Sequence, residues 1–173
     1  WRCTLKCSEC ARTERIDTNQ PMPKTDMSLD HFKKIVKYTE GKTQLNMCGT
    51  WGDPVFNLDF IHMLEHAYEK GAPVRISHAA SHQPESFYDK AYAANPDATW
   101  IFGIDGLPEE SHKYRVNQDG VKLFNMMLKG NRLGVKVQWQ YIVFNYNNTH
   151  MKLAKKLCKK HKLEIVFIHT KRK

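Results

Sequence analysis

The 173-residue chain has no apolar run near the ~18 residues needed to cross a bilayer and no basic-then-apolar leader, so it reads as cytoplasmic and free of any membrane segment. It has no low-complexity tract, no internal repeat and no Pro/Gly/Ser linker, which leaves a single domain over residues 1–173. An even cysteine count and a second C-x2-C pair are also missing. Five cysteines, three of them within eight residues, argue against a disulfide framework and toward metal binding or redox chemistry. Acidic residues are scarce at the far end: residues 151–173 hold nine Lys or Arg against Glu164 alone, which accounts for most of the formal charge of +9. A solvated helix face is the plainer account of that charge, because Lys152, Lys155, Lys156, Lys159 and Lys160 alternate with Leu153, Ala154, Leu157 and Cys158.

The chain as a whole is 41% hydrophobic and 26% charged, enough apolar content for one substantial core. After a loop-like opening, Ser28 is placed to cap a helix to about Glu40, with Leu29, Phe32, Ile35 and Val36 on its apolar face. Leu45 to Cys48 reads as a buried strand entering the turn Gly49-Thr50-Trp51-Gly52-Asp53-Pro54. A helix follows from Leu58 to Lys70, burying Phe60, Ile61, Leu64 and Tyr68 and ended by Gly71. The alternation continues through a strand at Val74 to Ser77, a helix at Glu85 to Ala94 and a strand at Trp100 to Gly103. Then come a helix at Asp119 to Lys129 closed by Gly130, a strand at Val135 to Phe144, a helix at Thr149 to His161 and a strand at Ile165 to His169. Repeated βα units predict a parallel sheet, either open and doubly wound or curled into a barrel. In both architectures the ligand site lies past the carboxyl ends of the strands, where this chain puts Gly49 to Asp53, His78, Asp105, Asn145 to Asn147 and His169.

Cys3, Cys7 and Cys10 put three thiols on one short segment that can wrap a soft-metal centre. Three thiolates hold three irons of a cubane and leave the fourth open to a small molecule. A zinc site completed by a histidine, an iron-sulfur centre used only for electron transfer, and three unrelated thiols are the competing accounts. The absence of paired C-x2-C units weakens the first, and the density of thiols weakens the last.

The spacing C-x3-C-x2-C is that of radical S-adenosylmethionine (radical SAM) enzymes, and the chain resembles that family. Gly49-Thr-Trp-Gly52-Asp53-Pro54 is similar to its Gly-Gly-Glu-Pro segment. Ile104-Asp105-Gly106 with His112 and Arg115 resembles the Ser-x-Asp-Gly...His...Arg stretch of the SPASM-type, peptide-modifying branch. The resemblance implies a TIM-type (β/α)6 barrel, here partial and truncated at both ends, with residues 1–173 as a core domain lacking its first strand and C-terminal part. It further implies a 4Fe-4S cluster on Cys3, Cys7 and Cys10. S-adenosyl-L-methionine (SAM) would be held by Gly49, Trp51, Gly52, Asp53, Asp105, Arg115 and Asn145, with Arg115 pairing its carboxylate. His78, Asn145 and His169 are candidates to face substrate. SAM would be cleaved to a 5'-deoxyadenosyl radical that abstracts hydrogen from a peptide or small-molecule substrate, with flavodoxin or ferredoxin as electron donor.

Four positions depart from the family pattern: Glu9 where an aromatic is frequent, Trp51 for a glycine, Asp53 for Glu, and Gly103 for a serine. The rival class is a non-enzymatic iron-sulfur or zinc-binding module whose basic tail contacts nucleic acid. It is less favoured because Phe167 and His169 fall in a predicted buried strand rather than among the charges, and residues 1–150 are near neutral.

Overall fold

The alternating pattern resolves into six helices and five strands in the computed structural model, which describes residues 1–170. The helices are α1 (Ala11–Asp17), α2 (Leu29–Tyr38), α3 (Phe60–Glu69), α4 (Glu85–Ala94), α5 (Gly120–Arg132) and α6 (Met151–His161). The strands are β1 (Leu45–Met47), β2 (Val74–His78), β3 (Thr99–Gly103), β4 (Lys136–Val143) and β5 (Glu164–His169). All neighbouring strands are parallel and follow chain order, β1-β2-β3-β4-β5. A doubly wound sheet reverses its strand order at a switch point, whereas a barrel adds strands in sequence. The sequential order therefore makes this a partial (β/α) barrel.

Local chemistry fixes the ends of the elements. Ser28 Oγ accepts the His31 amide at 3.3 Å to start α2, and Asp119 Oδ1 accepts the Lys122 amide at 2.9 Å to start α5. Gly71, at φ +62, closes α3 in the left-handed region. Gly130 does not end α5 as the sequence predicts. It lies inside the helix, where a Cβ would come 3.0 Å from the Tyr92 ring, so its role is close packing; Gly134, at φ +82, makes the turn. The opening stretch is not all loop either, because α1 begins directly after Cys10.

Side chains on one face of the sheet pack against the helices. Val74, Ile76, Trp100, Phe102, Val137, Trp139 and Tyr141 join Phe32, Phe60, Leu64, Tyr88, Leu123 and Met127 in one core. Ile35 and Tyr68, expected inside, are exposed, because α2 and α3 turn narrower apolar stripes inward than the sequence predicts. Cys48 is exposed just past β1, not buried in a strand, whereas Cys158 is buried on the inner stripe of α6 as expected. β5 is also not a buried strand: it is the sheet's last strand, with Val166 and Ile168 exposed. The α6 lysines face solvent, and Lys155 Nζ lies 5.4 Å from the Phe167 ring. The terminal Lys171, Arg172 and Lys173 of the basic tail lie outside the described residues. Among the described residues no helix is long and apolar enough to cross a membrane.

Candidate active site

The cysteine segment docks at the carboxyl ends of the strands through hydrogen bonds to two rim loops. Asp53 N donates to Arg2 O at 2.8 Å, Lys6 N to Val116 O at 3.1 Å, and Asn117 Nδ2 to Thr4 O at 3.2 Å. Between these anchors Cys10 N donates to Cys7 O at 3.1 Å, and Cys10 becomes the first residue flanking α1. The thiols sit in an apolar lining: Leu5, Cys7, Ala79, Tyr114 and Phe144 form a small cluster with Cys3, Cys10, Ile142 and Tyr146 against it. Tyr114 and Phe144 stack with ring centroids 4.3 Å apart.

Burial pushes the Cys3 thiol up to about 11. It raises Cys7 too, with the Arg115 charge opposing it. Without metal these thiols stay protonated at neutral pH, and binding a metal releases their protons. Among the described residues no group of three or more His, Cys, Asp or Glu side chains is arranged to hold a metal ion. Thiolates on separate irons of a cubane stand wider apart than ligands gathered about one ion at roughly 2.3 Å. Three soft donors in a dry, apolar lining fit such a cluster in kind.

The Gly49–Asp53 turn is glycine-dependent for steric reasons. A Cβ on Gly49 would meet Gly52 O at 1.9 Å, and one on Gly52 would meet the Trp1 and Arg2 backbone at 2.7 to 2.9 Å. Trp51, in the place of a glycine, lies beneath the Arg15 guanidinium at 4.8 Å. The Asp53 carboxylate is turned inward and holds backbone: Oδ2 accepts from Ala79 N at 2.8 Å and Ala80 N at 2.9 Å, and Oδ1 from Val55 N at 3.3 Å. Its visible work is to tie the loop after β1 to the loop after β2.

Asp105 and Arg115 meet as a buried ion pair, Nε to Oδ2 at 2.7 Å, with the Asp105 side chain wholly shielded. Ile142 N donates to Asp105 Oδ1 and the Tyr146 hydroxyl to Asp105 O, each at 2.8 Å. Gln118 Nε2 braces the neighbouring loops by donating to Ala79 O at 2.6 Å and Gly103 O at 2.8 Å. The Arg115 Nη2 atom would lie 2.9 Å from a Cβ on Gly103. A cavity of about 170 Å³ opens here, lined by Cys48, Gly49, Gly52, Gly103, Arg115 and Gln140 among others.

Several sequence candidates do not join this group. Asn145 is exposed, and it is Asn147 that holds the loop, donating to Ile142 O at 3.0 Å and accepting from Phe144 N at 2.8 Å. His78 borders the cavity, but its ring packs on the helix side among Trp100, Phe102 and Tyr88, where burial lowers its pKa to about 4. His169 and His112 are exposed. Tyr114, Gln118, Phe144 and the Glu110–His150 pair, Nδ1 to Oε1 at 2.6 Å, carry no motif signal, because each acts through a partner distant in sequence or a backbone atom.

The chain has the fold of radical SAM enzymes. No family model matches it, and its sequence matches no curated protein. Among solved structures it is similar to SuiB of Streptococcus suis, with a TM-score of 0.78 and 14% identity over 99% of this chain and 38% of that one. Methylornithine synthase (PylB) gives a TM-score of 0.72 and 17% identity, covering 97% of this chain and 50% of that one. The enzyme anSMEcpe, with bound AdoMet and Cp18Cys peptide, gives 0.73 and 16%, covering 97% of this chain and 48% of that one. SuiB has also been crystallised with its precursor peptide SuiA and with S-adenosylmethionine. The chain thus spans half or less of the length of each.

Proposed function

We propose that this chain is the core domain of a radical SAM enzyme, with Cys3, Cys7 and Cys10 holding a 4Fe-4S cluster and the adjoining cavity taking the methionyl end of SAM. What carries the reading is the gathering of three thiols, the two-glycine turn and Arg115 at the carboxyl ends of the strands of a partial barrel. When bound, the cluster supplies the electron that cleaves SAM to a 5'-deoxyadenosyl radical, which takes hydrogen from the substrate. The chain's own residues hold, orient and shield. Leu5, Ala79, Tyr114 and Phe144 keep water from the thiols, and Gly49 and Gly52 let backbone approach the ligand closely. Arg115 offers its guanidinium fork to the SAM carboxylate.

A peptide or protein side chain is the favoured substrate, since SuiB and anSMEcpe have both been crystallised with peptides. A flavodoxin or ferredoxin is the electron donor in this scheme. Anaerobic reconstitution tests it directly: about four iron and four sulfide per chain are expected, with 5'-deoxyadenosine released from SAM under a strong reductant. Bound zinc, or iron without any SAM cleavage, would replace it with the metal-binding module.

A further inference from the structure

We propose that Asp105 is the positioning residue for Arg115, its ion pair keeping the guanidinium at the cavity between the Gly49–Gly52 turn and Gly103 to take a carboxylate. The paired charges also offset one another beside Cys7. The inference rests on the radical SAM reading for the identity of that carboxylate and of the metal group on Cys7.

The bonding of Asp105 leaves it little to offer a ligand. Oδ2 is taken by Arg115 Nε, Oδ1 by Ile142 N and the carbonyl by the Tyr146 hydroxyl, and the side chain has no exposed surface. Each of these partners comes from a different loop or strand, so the carboxylate is fixed in place and fixes Arg115 in turn. The ion pair keeps the guanidinium beside the cavity, where its remaining donors serve carboxylate recognition.

Gly103 completes the device. A Cβ there would come 2.9 Å from Nη2, so the glycine leaves the guanidinium room beside the cavity. The segment that carries Arg115 is in turn bonded to the cysteine loop, through Lys6 N to Val116 O and Asn117 Nδ2 to Thr4 O. A lone cation at this dry position would act strongly on a metal group at Cys7, and Asp105 offsets it.

The test uses the full chain, reconstituted with iron and sulfide, with SAM affinity from calorimetry and the cluster midpoint potential from a titration followed by electron paramagnetic resonance. Asp105→Asn is expected to keep its iron, lose SAM affinity roughly tenfold or more, and shift the midpoint to more positive potential. Arg115→Gln is expected to lose similar affinity but shift the midpoint to more negative potential. The double variant should return near the wild-type midpoint with no further loss of affinity. Shifts of the same sign, no shift, or undiminished SAM affinity in Asp105→Asn overturn the proposal.

Should Asp105→Asn not fold, Asp105→Glu keeps both charges but lengthens the side chain by one methylene, and must lower SAM affinity without moving the midpoint; retained affinity overturns the proposal equally. A wild-type chain that takes up no iron would overturn the radical SAM reading instead. The pair is then judged in the iron-free chain, where thermal unfolding of the single and double variants must show coupling, and additive losses sink it.

Discussion

Along β2, β3 and β4, residues one position apart meet two different surroundings. On the helix side His78, Trp100, Phe102, Trp139 and Tyr141 are all at most 4% exposed. On the opposite side Arg75 and Ser77 of β2 and Gln138 and Gln140 of β4 keep part of their surface open, with the buried Ile101 of β3 between them. Arg75 there bonds the neutral Gln138, Nη2 to Oε1 at 3.1 Å. The period of two sorts residues by face, and the helices cover only one of the faces. One face is spent on holding the barrel wall together, while the other, with the rim above it, is left polar and reachable.

The contrast is sharpest among the cysteines. Cys3→Ala, Cys7→Ala or Cys10→Ala should abolish the cluster outright, whereas Cys158→Ala on the helix side and the exposed Cys48→Ala should retain it; iron and sulfide analysis reads both. Loss of iron in either of the last two would move part of the ligand set.

Trp100→Ala should cost about 3–5 kcal/mol in chemical denaturation, because it empties a fully buried site where Phe60, His78 and Tyr92 all meet the indole. A cost below 1 kcal/mol would mean that the helix side is far more loosely packed than its burial implies.

His78 makes the same face sensitive to acid. Its folded pKa of about 4 lies below the ordinary histidine value of 6.5, so the unfolded chain binds the proton first. Stability is then full above pH 6.5 and declines as pH falls toward 4, by roughly 3 kcal/mol at most for this one group. His78→Phe should flatten that decline when unfolding is followed at pH 7, 5 and 4. An unchanged pH profile would show that the imidazole finds a proton partner in the core.

The smallest effect belongs to the open face. Gln140→Ala should change unfolding free energy by no more than about 0.5 kcal/mol, because the side chain is half-buried and holds no core contact. A large loss there would erase the distinction between the two faces.

Much of the wall was legible in the sequence because its signals are local. Glu85 to Ala94 carries helical spacing, and Trp100 to Gly103 is too short an apolar run for a helix; both form as expected. The sequence left the choice between open sheet and barrel undecided, since strand order depends on contacts between segments, not within them. α1 escaped notice because Ala11–Asp17 has no apolar stripe and starts at a cysteine without a side-chain cap. Gly130 misled because a glycine that ends a helix and one that admits a neighbouring ring look alike in one dimension.

At the rim, the three cysteines and the two glycines could be named from spacing. The bonding of Asp53 could not: it reaches Ala79 and Ala80 across more than 25 positions and grips amides, which every residue has. The inward turn of the Asp105 carboxylate toward Arg115 was hidden for a related reason, since its other partner, Ile142 N, belongs to a strand formed much later in the chain.

The position of Asp53 bears on transplantation. Its amide holds the cysteine segment through Arg2 O, and its carboxylate holds the loop after β2. A cysteine segment moved alone onto another (β/α) scaffold would arrive without the clasp that fixes its height above the strands. A portable unit therefore needs the stretch from Trp1 to Ala80 and the Val116–Asn117 loop that also anchors the segment, rather than the C-x3-C-x2-C motif by itself.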